Sequence, residues 1–198
     1  MDFRYLGLSG LKVSSYCLGT MTYGETTEEK DAHLQISEAF SSGINFIDTA
    51  EMYPTCPIRK ETSGETEKII GNWINNNKDK RKDIILATKV VGNGFKYIRS
   101  GGPITRETIK VALHESLKRL KTDYIDLYQL HWPNRGSYHF RSYWNYKPEK
   151  QDSKNITDEF LDIINALNDF KKEGLIRAIG VSNETCWGVM KLNEIIKD

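Results

Sequence analysis

The sequence is most informative first in what it has little of. Its apolar runs, such as the four residues Ile84 to Ala87, are far shorter than the ~20 residues a membrane-spanning helix needs. Twenty-eight lysines and arginines nearly cancel 27 aspartates and glutamates, leaving a net charge of +1. That balance provides no electrostatic case for nucleic acid or for an acidic membrane surface. Cysteine is scarce: Cys17, Cys56 and Cys186 are odd in number and lack metal-ligand spacing. Free thiols in a reducing cytoplasm are expected, with no metal site and no disulfide framework. The first ten residues, MDFRYLGLSG, lack a charged stretch followed by an apolar one, so no secretory signal is read there and the expected location is cytoplasmic. Two glycosylation sequons, at Asn155 and Asn183, are then read as chance. The dinucleotide fingerprint GxGxxG is missing as well, because residues 19–24 after the first strand read GTMTYG.

What is present is a strict alternation of short apolar runs with amphipathic stretches. Residues 3–15 predict a small hairpin around Leu8-Ser9-Gly10, plugging one end of the domain. Strands are then expected at 16–19, 45–48, 84–88, 124–130 and 177–181. Helices are expected between and after them, at 28–42, after Glu65, after Thr105, after Thr157 and over 184–196. Thr62-Ser63-Gly64-Glu65 reads as a capping box, and Thr105 and Thr157 read as caps. Residues 133–155 are polar and aromatic without a period, long for a connection. Five βα units in succession predict a parallel sheet with right-handed crossovers. Between an open doubly wound sheet and a (β/α)8 TIM barrel the pattern favours the barrel, because polar residues end several strands instead of meeting at one switch point. A full barrel has eight units and typically ~250 residues. The expectation is therefore one domain over residues 1–198, incomplete at its C-terminus, with an open edge available for self-association.

Four strands end in groups suited to chemistry: Asp48, Lys89, His131 and the pair Ser182-Asn183. Tyr53 follows Asp48 by five residues. A tyrosine, with a reference pKa of ~10, is a poor general acid unless a neighbouring ammonium favours the phenolate. A buried lysine in turn needs a carboxylate partner. A neutral histidine can donate a hydrogen bond to a carbonyl oxygen and orient it. Together these groups suit protonation of the oxygen of a carbonyl undergoing reduction.

The segments GTMTYGE (19–25), DTAEMY (48–53), ATKV (87–90), SLKRLKTDYIDLYQLHWP (116–133) and IGVSNET (179–185) resemble the aldo-keto reductases. The likeness covers nearly the whole chain and is greatest in a bacterial Tas-like branch, itself related to potassium-channel β-subunits. It implies a catalytic tetrad of Asp48, Tyr53, Lys89 and His131, with Tyr53 as proton donor. It further implies that Ser182 and Asn183 hold the nicotinamide carboxamide and that Gly19, Thr20, Met21 and Asp48 lie along the cofactor. Tyr23 and Trp132 would belong to an aromatic substrate pocket. The implied cofactor is NADP(H), with NAD(H) the alternative, and the implied substrate a small carbonyl compound. Pro54 stands where the family has glycine, which puts access through that loop in question. The family's further cofactor loops, after its sixth to eighth strands, have no counterpart in residues 1–198, so the competing reading is a non-catalytic barrel fragment or binding module.

Single residues also carry ordinary readings. His33, His114 and His139 are expected to be structural, Tyr143, Trp144 and Tyr146 to pack within the long loop, and Lys96 and Arg99 to be solvated loop charges.

Overall fold

The computed structural model describes residues 1–139 and 143–197, so Phe140 to Ser142 of the long loop, and Asp198, lie outside the described residues. A hairpin of β1 (Phe3–Tyr5) and β2 (Lys12–Ser14) precedes five βα units. These are β3 (Cys17–Gly19) with α1 (Glu29–Ser41), β4 (Phe46–Asp48) with α2 (Glu65–Asn76), and β5 (Ile85–Val90) with α3 (Arg106–Leu120). Then come β6 (Ile125–Leu130) with α4 (Ser153–Lys172) and β7 (Ile176–Val181) with α5 (Cys186–Lys197). All five later strands are parallel and lie in sequence order β3-β4-β5-β6-β7. That order, in which each strand pairs only with its sequence neighbours, is the singly wound order of a (β/α) barrel. Among the described residues the sheet stays open between β3 and β7.

The two-residue period of the strands divides the core. Leu86 and Val90 of β5 and Tyr128 and Leu130 of β6 face outward into a large cluster with Ile70 and Trp73 of α2, Leu113 of α3 and Leu167 of α4. Ile85, Ala87, Leu127 and Ala178 face inward and meet Leu11 and Val13 of the hairpin segment, which covers that end of the sheet as expected. Lys89, Gln129 and His131 continue the inward rows of β5 and β6 toward their C-terminal ends. The inner face therefore changes from apolar to polar along the strands.

Two caps differ from the sequence expectation. Thr62 does not cap α2: its hydroxyl donates to Glu25 Oε1 at 2.8 Å, and the helix starts from Gly64 at φ 85°. The Tyr53 carbonyl instead accepts the N–H groups of Gly64 and Thr66, at 3.0 and 3.4 Å. Helix α4 starts four residues before Thr157, because Asp152 accepts the N–H groups of Lys154 and Asn155 at 2.8 and 3.2 Å. Thr157 lies in the first turns and donates back to the Ser153 carbonyl at 2.7 Å. Thr105 caps α3 as expected, in a reciprocal box with Thr108.

Buried ion pairs lock the outer layer. Glu67 of α2 is fully buried and accepts from Thr88 at 2.5 Å and from Arg119 Nε at 2.7 Å. Helices α2 and α3 approach closely at Gly71, where an added Cβ would lie 2.1 Å from the Arg119 carbonyl oxygen. Helix propensity alone favours alanine over glycine by ~1 kcal/mol. The clash is with backbone, so Gly71→Ala is expected to destabilise by about 2–3 kcal/mol net, read from urea unfolding.

Candidate functional site

The C-terminal ends of β4, β5 and β6 bring Asp48, Lys89 and His131 together. β4 and β5 are in register with Asp48 opposite Ala87, which sets Lys89 one inward step above it. The Lys89 side chain is almost wholly buried and its Nζ donates to Asp48 Oδ2 at 2.5 Å and to the Thr49 carbonyl at 2.8 Å. The same ammonium lies 3.4 Å from Tyr53 Oη. The other Asp48 oxygen accepts Gln129 Nε2 at 3.1 Å. Tyr53 packs edge-on to the His131 ring, centroids 5.7 Å apart.

His131 is buried beside Lys89, and among the described residues its Nδ1 has no hydrogen-bond partner. Burial first, and the Lys89 charge second, push its pKa down from 6.5 to about 3. The ring is therefore neutral at physiological pH. Between pH 3 and pH 6.5 the unfolded chain binds a proton at this position that the folded chain refuses, so stability falls as pH falls through this window and is complete above it. Urea unfolding of wild type is expected to lose about 1–2 kcal/mol from pH 7 to pH 5 through this residue. His131→Gln should remove that share of the slope; an equal slope in the variant would mean the imidazole titrates normally.

Tyr53, His131 and Trp132 line a cavity of about 540 Å³ whose other walls include Met21, Met52 and Phe95. Trp132 lies on the wall of this cavity, its Nε1 donating to the Asn93 carbonyl at 3.1 Å. Tyr23 does not line this cavity: its ring lies in the outer core, 1% exposed. Met21 reaches the cavity, but Thr20 is fully buried and its hydroxyl donates to the Asp48 carbonyl at 2.8 Å. Thr20 thus holds β3 to β4 and exposes no surface to a ligand. Ser182 and Asn183 end β7 beside β6, with Asn183 in the left-handed region at φ 53°. The Asn183 amide donates to the His131 carbonyl at 2.9 Å and to Ser182 Oγ at 3.0 Å. Gly19 is exposed at the end of β3, in register with Asp48.

Several site residues escaped the sequence reading. Arg99 is no solvated charge: it forms a two-pronged pair with buried Glu51, both distances 2.6 Å, and also donates to the Val91 carbonyl at 3.0 Å. Glu51 Oε1 in turn accepts the Val91 N–H at 2.6 Å. A buried carboxylate needs such a partner, and the planar guanidinium supplies it. This pair ties the loop carrying Asn93 and Phe95 to the segment carrying Tyr53. Glu51 stood inside the DTAEMY motif as a charge between Ala50 and Met52, which was the available signal. His139, expected to be structural, lies on the cavity wall with its Nδ1 2.9 Å from Ser137 Oγ. His33 and His114 are structural, bonded to the carbonyls of Ile69 and Lys110 at 2.9 and 2.7 Å. Lys96 is exposed, as expected. Trp144, 82% exposed, and Tyr143 of the long loop touch each other edge-on, and Tyr146 contacts Tyr138. The three cysteines are free. Among the described residues no helix is long and apolar enough to cross a membrane, and no cluster of side chains suits a metal ion.

A singly wound parallel sheet with a polar cluster and a cavity at its C-terminal rim is the arrangement of the barrel enzymes. Within that class, the chain belongs to the aldo/keto reductase family, whose model matches residues 16–197. It is 45% identical over 194 residues to Protein tas of Escherichia coli K12, covering 96% of this chain and 54% of that protein. It is 34% identical over 187 residues to aldo-keto reductase YhdN of Bacillus subtilis, covering 92% of this chain and 47% of the relative. Among solved structures it resembles aldo-keto reductase AKR11C1 from Bacillus halodurans in its holo form, with a TM-score of 0.73 and 35% identity. That match covers 98% of this chain and 54% of the other. The chain thus spans about half the length of each of these relatives.

Proposed function

We propose that residues 1–198 form one reductase domain that carries the proton-transfer machinery of an NAD(P)H-dependent carbonyl reductase, turning an aldehyde or ketone into an alcohol. The observation that carries this reading is the Lys89 ammonium held between Asp48, at 2.5 Å, and Tyr53 Oη, at 3.4 Å, with Tyr53 itself on the wall of a largely apolar cavity. In this reading Tyr53 Oη gives its proton to the substrate oxygen, and the Lys89 charge stabilises the phenolate left behind. Neutral His131 orients that oxygen and excludes water from one side. Asp48 keeps Lys89 charged and in place.

The bound nicotinamide would supply the hydride, and NADPH is the proposed form, with NADH the alternative. The groups at the rim fit such a ring: exposed Gly19 leaves the end of β3 open, and the Ser182 hydroxyl and Asn183 amide stand at the end of β7 for a carboxamide. Met21 and the Asp48 side chain, 29% exposed, complete the proposed contacts.

The test is to titrate the purified chain with NADPH, following tryptophan fluorescence, and then to assay a panel of aldehydes and ketones. Saturable micromolar binding with turnover is the expected result. A folded chain that neither binds the cofactor nor reduces any carbonyl would instead be the non-catalytic module of the competing reading.

A further inference from the structure

We propose that Gln129 is a positioning residue for this reduction, holding the Asp48 carboxylate so that Lys89 stays directed at Tyr53; the inference rests on the reductase reading above. Gln129 is the inward residue of β6 two positions before His131. In the sheet register it lies beside Lys89 of β5 on one side and Gly180 of β7 on the other. Its amide reaches across β5 to Asp48 on β4, donating to Oδ1 at 3.1 Å while Oδ2 receives Lys89 at 2.5 Å. Each carboxylate oxygen therefore has its own donor, and the carboxylate plane is set by two strands instead of one.

The consequence passes to Lys89. Its ammonium has three protons, and two of its contacts, Asp48 Oδ2 and the Thr49 carbonyl at 2.8 Å, are shorter than the third, Tyr53 Oη at 3.4 Å. The longest contact is the one most sensitive to rotation of Asp48. A carboxylate held at one oxygen swings about that single bond; a second donor removes the freedom.

Gly180 is part of the same arrangement. A Cβ at this position would lie 3.1 Å from Gln129 Cγ and 3.2 Å from Leu127 Cδ1. The glycine thus leaves the space in which the glutamine side chain runs. Ala87 and Leu127, the inward residues of β5 and β6 level with Asp48, are apolar, so Gln129, one inward step further along beside Lys89, adds a donor to Asp48 without adding charge.

The experiment labels the chain with [¹³Cζ]tyrosine, assigns the Tyr53 resonance by its loss in Tyr53→Phe, and titrates it by NMR in wild type, Gln129→Met, Gln129→Glu and Gly180→Ala. Losing a donor dipole aimed at Asp48 makes the site more negative and disfavours the phenolate. The Tyr53 midpoint should rise by about half a pH unit in Gln129→Met and by about one unit or more in Gln129→Glu. Gly180→Ala, which displaces the glutamine without removing it, should shift the midpoint in the same direction. In a chain that turns over, Gln129→Met should lower kcat about 10-fold with little change in KM for the carbonyl. A Tyr53 midpoint unmoved in the folded variants overturns the proposal, and reduces Gln129 to a partner that only satisfies a half-buried acceptor. Should Gln129→Met fail to fold, Gly180→Ala decides. The NMR readout needs no turnover, so an inactive wild type counts against the reductase reading while the Tyr53 shifts still score Gln129.

Discussion

Replacing Tyr53 with phenylalanine is expected to lower carbonyl reduction by about 10²–10⁴-fold while leaving NADPH affinity unchanged. The substitution removes one oxygen and little else. The ring can keep its edge contact with His131 and its place on the cavity wall. The backbone carbonyl of residue 53 still receives the Gly64 and Thr66 N–H groups that start α2, so the fold around the site is retained. Lys89 loses only its longest contact, at 3.4 Å, and keeps Asp48 and the Thr49 carbonyl. The measurement is kcat/KM for one carbonyl substrate beside NADPH binding by fluorescence. Undiminished turnover would remove Tyr53, and with it the tetrad, from the chemistry.

The largest effect on stability is expected at Asp126, at the opposite end of the strands. Its carboxylate is fully buried and receives Arg81 at 2.9 Å, Arg177 at 2.5 Å and the Leu86 N–H at 3.0 Å. Arg81 also donates to the Ile84 and Tyr124 carbonyls and to the Thr122 hydroxyl, and stacks over the Tyr124 ring. One carboxylate therefore joins β5, β6 and β7. Asp126→Ala leaves Arg81 charged and buried without its anion, while half-exposed Arg177 can turn to solvent. The expected cost is about 3–5 kcal/mol in urea unfolding. Pairing Asp126→Ala with Arg81→Leu should cost less than the sum of the two single changes, because the second removes the stranded charge. A loss below ~1 kcal/mol for Asp126→Ala would mean that water reaches Arg81 and that the pair is not a structural clamp.

Much of the architecture was legible because it is written locally. Apolar pairs such as Ile36 and Ala32, or Ile109, Leu113 and Leu117, repeat at helical spacing, and the runs ending at Asp48, Lys89 and His131 are too short for helices. Those patterns reflect burial of one face of one element, which a window of a dozen residues contains. Helix starts were less legible. Thr62 and Thr157 have the right chemistry for caps, yet a distant glutamate engages one and Asp152 pre-empts the other.

The sequence by itself determined the βα alternation, the hairpin plug, and the placement of a carboxylate, an ammonium and an imidazole at the ends of successive strands, with a tyrosine in the loop after the first. Strand periodicity dictates which residues face inward, and strand ends dictate where they emerge. Tertiary structure alone decided that Tyr23 turns into the core and that Arg99 clamps Glu51. It also decided that Glu67 is buried between Thr88 and Arg119, and that Gln129 supports Asp48 across an intervening strand. The last three join groups 21 to 81 residues apart. A buried charge or amide is stabilised only by the particular partner the fold brings to it, and local pattern carries no record of that partner.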